Sequence, residues 1–104
     1  MDQGIFEAAR LELEKSMVYQ TDLSVVHHNW GVYHYKRGAY EKAVKSFREA
    51  IRMRPKSFRY YKNLGHAMYQ SGRRKEAVFA FEESLAIYGN QPEIEEFMKE
   101  NGLK

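Results

Sequence analysis

The sequence predicts an all-α fold of stacked helical hairpins, and three observations support this prediction. The segment over residues 30–55 returns 34 positions later, over residues 64–89, and a fixed period of this length is typical of stacked repeats. Within each copy, apolar residues recur every three or four positions, as on one face of a helix. Gly38 and Gly72 divide the two copies at the same point, which indicates a turn between two helices.

Small residues occupy matching positions in the two copies. Where two helix axes must approach closely, only a small side chain leaves room. The small residues are Gly31, Ala43 and Ala50 in the first copy and Gly65, Ala77 and Ser84 in the second. Beside them stand the large residues Trp30, Phe47, Leu64 and Phe81. This alternation predicts that small and large side chains fit together inside each hairpin.

An apolar stripe predicts the first helix over residues 5–19. One period back from Gly38, Tyr40 and Phe47 stand Gly4, Phe6 and Leu13, so this helix matches the second half of a repeat. The chain is therefore expected to begin with a half repeat over residues 1–23, which is also consistent with its being part of a longer protein. Without a preceding helix, apolar surface would be left for a second copy, and a homodimer is one alternative. The residues predicted for this self-association are Ile5, Phe6, Val26 and Tyr33.

Five further helices follow, which makes about six in all. Asp22 and Ser57 are candidate N-caps, and Pro55 must end the helix before it. The expected helices cover about 23–37, 40–53, 58–70 and 74–88. Pro92, followed by three glutamates within four residues, has the order of a helix N-terminus. It predicts a last helix that caps the stack.

The sequence closely resembles the tetratricopeptide repeat in one pattern of residues. The pattern consists of Gly31, Gly38, Tyr40, Ala43, Phe47, Ala50 and Pro55. The resemblance implies a right-handed superhelix of antiparallel hairpins in a single domain, residues 1–104. Full repeats would cover residues 24–57 and 58–91, and a capping helix would cover 92–104. His27 and Tyr61 stand where the family often has tryptophan, and Gly89 replaces its proline.

The same resemblance implies that the chain is a protein–protein interaction module, a scaffold that binds a partner segment in a concave groove. The family's groove positions fall on His28, Asn29, Val32, Tyr35, Lys36, Arg59, Lys62, Asn63, His66, Tyr69 and Gln70. Asparagine in such a groove commonly bonds the peptide backbone, and Tyr35 and Tyr69 are expected to supply aromatic contacts. The carboxylate clamp of co-chaperone members is not expected, because Lys62 and His66 match it imperfectly and a third repeat is missing. An acidic or extended partner segment remains the expectation.

Charge is segregated along the sequence. Residues 36–75 carry thirteen Lys or Arg against Glu41 and Glu49 alone, so nucleic acid or an acidic partner is a lesser alternative. Lys42, Lys45 and Arg48 are expected along a convex outer face without aromatic residues for base stacking. A solvated helix face is therefore the favoured interpretation.

Composition and motifs argue against several other classes. Cysteine is absent, which excludes disulfides and thiolate zinc sites, and the four histidines do not form a ligand set. Neither a catalytic constellation nor a phosphate-binding glycine loop is present, so we expect no enzyme and no cofactor. Because no apolar run approaches the roughly 20 residues that span a bilayer, we expect a soluble, cytoplasmic chain.

Overall fold

The computed structural model describes residues 22–104, and every regular element in this range is an α-helix. The helices are α1 (Leu23–Lys36), α2 (Tyr40–Met53), α3 (Phe58–Gln70), α4 (Arg74–Ile87) and α5 (Pro92–Glu100). The bounds of α1 to α4 agree with the predicted ones to within one residue, whereas α5 ends at Glu100, four residues before the predicted end of the capping helix at 104. The fold class is thus confirmed. The predicted helix over residues 5–19 lies outside the described residues.

Local signals define the helix ends as the sequence predicts. Asp22 caps α1, where its carboxylate accepts a hydrogen bond from the Ser24 backbone N–H at 3.0 Å. The Ser57 hydroxyl accepts from the Tyr60 N–H at 3.4 Å at the start of α3. Gly38 and Gly72 have φ angles of 79° and 88°, a left-handed conformation that favours glycine. They end α1 and α3 and turn the chain into its partner helix.

Each hairpin closes through one glycine and one phenylalanine. A Cβ atom added to Gly31 would lie 2.5 Å from the Phe47 ring, and one added to Gly65 would lie 2.7 Å from the Phe81 ring. Both rings are almost completely buried. The helices of a hairpin therefore approach closely at the glycine, and the predicted fit of a small against a large residue is confirmed for these two pairs.

The two hairpins share one core. Val44 and Phe47 of the first hairpin join Leu64, Met68 and Phe81 of the second in a single buried cluster. Burial of such side chains contributes roughly 1.5–3 kcal/mol each. At the surface, ion pairs connect successive hairpins through Arg48 to Glu76 and Arg73 to Glu41. Sharing of the core fixes the two hairpins as neighbours in a stack.

Helix α5 completes the core at its C-terminal end. Ile94, Met98 and Leu103 are buried in the same cluster as the two hairpins. Gln91, just before the helix, is 2% exposed, and its side-chain amide donates to the Ser84 and Tyr88 carbonyl oxygens at 3.2 and 2.7 Å. The glutamates on the other side of α5 are exposed. The helix thus has one apolar face toward the stack and one polar face.

Candidate functional site

A depression of about 300 Å³ lies between α1 and α3. It is lined by Val32, Tyr35, Lys36, Phe47, Asn63 and His66. Five of these six residues belong to the groove that the sequence predicts, and they come from both repeats. The exception is Phe47, which the sequence analysis placed only in the core. The structure therefore brings the central part of the predicted groove together around one apolar depression.

The floor of this groove depression is apolar because Gly31 has no side chain. The Phe47 ring lies directly against Gly31 and so reaches the groove side of α1 while remaining otherwise buried. Val32 and Tyr35 are half-buried beside it, and the Tyr35 ring makes an edge contact with Tyr40 at 5.3 Å. Phe47 could have been assigned to the groove from its pairing with Gly31, because the missing glycine side chain leaves the helix surface open above the ring.

A polar pair connects the two repeats at one side of the groove depression. The Asn63 side-chain amide donates to His28 Nε2 at 2.7 Å. The His28 ring also stacks on Tyr60, with centroids 4.9 Å apart, and contacts Phe47 at 5.7 Å. The Asn63 carbonyl oxygen takes no part in this bond, so it is able to accept a hydrogen bond from a peptide N–H.

Three ionisable groups in or beside the groove have perturbed pKa values. Burial lowers the pKa of His28, as do the charges of Arg59 and Lys62, while a hydrogen bond with Asn29 opposes them. Burial and the Lys62 charge lower the pKa of His66. Both rings are therefore neutral near pH 7. Burial also raises the pKa of Tyr35, although a hydrogen bond with Gln70 acts in the other direction.

Basic side chains surround this apolar surface, and the residues that line it include no acid. Lys36 lies on its edge, and Lys62 is near enough to both His28 and His66 to affect their pKa values. Arg59 is exposed at the His28 side, with its guanidinium 5.7 Å from the Phe58 ring centroid. The groove thus combines an apolar centre with a positive margin.

Helix α5 covers the C-terminal end of the groove, which the sequence analysis did not anticipate. The Phe97 ring makes edge contacts with His66 and Tyr69, at 4.8 and 5.3 Å. The Tyr69 hydroxyl donates to Asn101 at 3.1 Å, and Arg74 lies over the Tyr69 ring. Tyr69 is therefore held by the capping helix and lies outside the depression, whereas Tyr35 lines it.

The residues predicted for self-association are only partly described. Val26 and Tyr33 are 3% and 8% exposed, so they offer little surface in this conformation. Ile5 and Phe6 lie outside the described residues. Self-association through these four residues stays a prediction.

The outer face differs from the prediction in one respect. Phe79 of α4 is 63% exposed, and with Tyr61 it lines a depression that also includes Arg48 and Lys75. The expectation that the basic outer face has no aromatic residue is therefore wrong. That expectation considered the residues of α2 alone, whereas the stacking of the hairpins places α4 beside α2. Acidic residues also reach this face, because Arg48 pairs with Glu76 at 3.1 Å and Arg52 with Glu49 at 3.0 Å.

Residues 22–104 contain neither a candidate metal site nor a candidate membrane-spanning helix. No group of three or more His, Asp or Glu side chains in this range is arranged to hold a metal ion. Each helix in the same range is too short or too polar to cross a lipid bilayer.

The fold and the depression between α1 and α3 together define a helical-repeat protein built from successive hairpins. Comparison with known proteins agrees with this class. A family model described as "TPR repeat" matches residues 31–72, and one described as "Tetratricopeptide repeat" matches residues 58–91. The chain belongs to the tetratricopeptide repeat family. Repeats of this family generally mediate protein–protein interaction.

Two curated relatives match about half of the chain. Small glutamine-rich tetratricopeptide repeat-containing protein 2 of Mycosarcoma maydis is 34% identical over 50 residues, which cover 48% of this chain and 14% of the relative. The protein of the same name in Saccharomyces cerevisiae is 41% identical over 51 residues, or 49% of this chain and 15% of the relative. The similarity thus covers a small part of each relative's length.

Proposed function

We propose that this chain binds an extended segment of a partner protein in the groove between α1 and α3. The observation that carries the proposal is the convergence of five predicted groove residues, from both repeats, on one apolar depression. The segment would place a large apolar side chain in the groove depression, against Tyr35, Val32 and the Phe47 ring. Burial of such a side chain is worth roughly 1.5–3 kcal/mol.

Polar groups around the groove depression would orient the segment. The Asn63 carbonyl oxygen would accept a backbone N–H of the segment, while its amide group remains bonded to His28 at 2.7 Å. Lys36 and Lys62 favour a carboxylate near the apolar anchor, because charged hydrogen bonds are stronger than neutral ones. The preferred partner is therefore an acidic segment with one apolar anchor side chain.

A selection experiment tests this function without knowledge of the natural partner. A phage-displayed library of random peptides is selected on the chain, and the affinities of enriched peptides are measured by fluorescence anisotropy. We expect the enriched peptides to place a large apolar residue beside Asp or Glu. Enrichment without this pattern would contradict the proposed chemistry.

Substitutions then locate the bound peptide. Tyr35→Ala and Asn63→Ala should each weaken binding about tenfold or more, as truncation of a central contact does. Tyr88→Ala is the matched control, because Tyr88 is exposed at the C-terminal end of α4. If the peptides bind all three variants equally well, the groove is not the binding surface.

A further inference from the structure

Phe79 presents an aromatic ring to solvent without an evident role in the stability of its own chain. It is the most exposed of the three large hydrophobic side chains that stand out from residues 22–104, at 63%. The equivalent position of the first repeat, 34 residues earlier, is the exposed Lys45. Because the repeat accepts a charged side chain there, its packing does not require the phenylalanine. A single exposed ring is ordinary, but an exposed ring that adjoins further apolar surface commonly marks an interaction surface.

A depression of about 350 Å³ lies beside Phe79. Its apolar lining includes Tyr61, Leu64 and Met68 of α3, and the last two are buried at its base. A water molecule takes up about 30 Å³ in the liquid, so the depression has room for about twelve waters or for one aromatic side chain. The same face therefore carries both a protruding ring and a recess that fits a ring.

Two residues of opposite charge lie at equal distances on either side of Phe79 along α4. Lys75 lies four residues before it and Glu83 four residues after it, so all three lie on the same side of the helix. Each charged residue is about 6 Å from Phe79 along the helix axis. Two α4 helices that cross antiparallel at Phe79 would therefore bring Lys75 of each copy opposite Glu83 of the other.

We propose that this outer face of α4 binds a second copy of the same chain in a twofold dimer. Phe79 of each copy enters the depression of the other, and the two Lys75–Glu83 pairs fix the antiparallel orientation. A twofold interface requires a surface that is complementary to itself, and a ring beside a recess, with opposite charges on either side, meets that requirement. Arg48 and Glu76, at the rim, are already paired with each other at 3.1 Å.

The charges favour a second copy over nucleic acid on this face. Phosphate attraction requires clustered cations, whereas Glu76, Glu82 and Glu83 of α4 stand on or near the same face as Lys75. This dimer is also separate from self-association through Val26 and Tyr33, which are buried in α1.

Light scattering over a hundredfold concentration range tests the proposal. We expect the mass of the wild-type chain to rise from 12.3 kDa toward twice that value, while Phe79→Lys stays at 12.3 kDa throughout. This substitution copies Lys45 of the first repeat, and unchanged helicity by circular dichroism checks its fold. Leu23→Lys, which also replaces an exposed large hydrophobic side chain (54%), should behave like the wild type.

Charge reversal tests the orientation of the two copies. Lys75→Glu and Glu83→Lys should each raise the dimer Kd about tenfold, and the double variant should restore the wild-type value. The two residues are eight positions apart in one helix, too far to pair within a chain, so restoration would require contact between copies.

Three results would overturn the proposal. They are a wild-type chain that remains monomeric over the whole range, a dimer that persists in Phe79→Lys, and a double charge reversal that fails to restore association. If a monomeric chain binds a labelled single-stranded oligonucleotide and Phe79→Lys abolishes that binding, the face belongs to nucleic acid instead.

Discussion

At the scale of single residues, Gly31 and Gly65 determine how closely the helices of each hairpin approach. Their missing side chains let Phe47 and Phe81 lie against the helix backbone. In the first repeat this contact also forms the floor of the groove depression. One residue choice thus serves both the core and the candidate binding site.

A side chain at Gly65 should destabilise the fold. Gly65→Val adds three carbon atoms where the first would already lie 2.7 Å from the buried Phe81 ring. We expect the free energy of unfolding to fall by about 2–3 kcal/mol, measured by urea denaturation. In the control Gly89→Val, the added Cβ would be 3.6 Å from its nearest neighbour, so the change should stay within about 0.5 kcal/mol. Equal losses in both variants would show that the hairpin can adjust.

His66 should make stability depend on pH. Burial and Lys62 lower its pKa below the ordinary value of 6.5, so below about pH 6.5 the unfolded chain binds a proton that the folded chain does not. Stability should therefore decrease as the pH falls from about 7.5 to 5.5. Urea denaturation across this range should show a smaller decrease in the free energy of unfolding for His66→Gln than for the wild type. Part of the decrease should remain, because the pKa of His28 is lowered as well. An unchanged pH dependence in this variant would contradict the assignment.

At the scale of elements, the junction between α4 and α5 depends on buried hydrogen bonds. The Ser84 hydroxyl donates to the Phe58 carbonyl oxygen at 2.7 Å and accepts from the Gln91 side-chain amide at 3.1 Å. Gln91 also donates to carbonyl oxygens at the end of α4. This network places the start of α5 against the second hairpin, and thus sets where α5 covers the groove.

Loss of the Gln91 amide should weaken this junction. Gln91→Leu keeps much of the side-chain volume but leaves the Ser84 and Tyr88 carbonyl oxygens without this donor. We expect a loss of about 1–3 kcal/mol in the free energy of unfolding, measured by urea denaturation. Asn90→Leu is the control, because Asn90 is an exposed amide residue, and it should change stability by less than about 0.5 kcal/mol. A Gln91→Leu variant as stable as this control would show that the network contributes nothing.

The charge of the outer surface could not be predicted from the linear sequence alone. Along the sequence, the stretch over residues 36–75 contains thirteen basic residues and only two acidic ones. In the fold, Glu76 pairs with Arg48 and Asp22 with Arg54, because stacking brings acidic residues from outside this stretch beside it. These exposed pairs are worth little energy, but they make the surface far less basic than the stretch of sequence indicates.

At the scale of the whole molecule, the 34-residue period predicted the described fold almost completely. Helix bounds, the turn glycines and the Gly–Phe contacts all follow from side-chain size and spacing, which are local properties. The resemblance to the tetratricopeptide repeat also allowed one surface to be assigned to Val32, Tyr35, Lys36, Asn63 and His66, because the family's groove positions fall on them.

Three features could not be predicted in this way, because they depend on contacts between elements distant in sequence. The Phe47 ring reaches the groove through the space at Gly31, α5 covers the groove beside Tyr69, and the recess beside Phe79 requires residues from three helices. Each arises from how the hairpins and α5 are placed against one another. A periodic pattern describes one repeat well and the irregular end of a stack poorly.

Binding of a partner segment in the groove between α1 and α3, as we propose, can be observed directly. The most direct measurement is a map of amide chemical-shift changes, recorded by ¹H–¹⁵N NMR, as a library-selected acidic peptide is added to the labelled chain. We expect the largest changes to occur at Val32, Tyr35, Asn63 and His66 and to be absent in Tyr35→Ala at the same peptide concentration. Changes centred instead on the outer faces of α2 and α4, with the groove amides unaffected, would contradict the proposal.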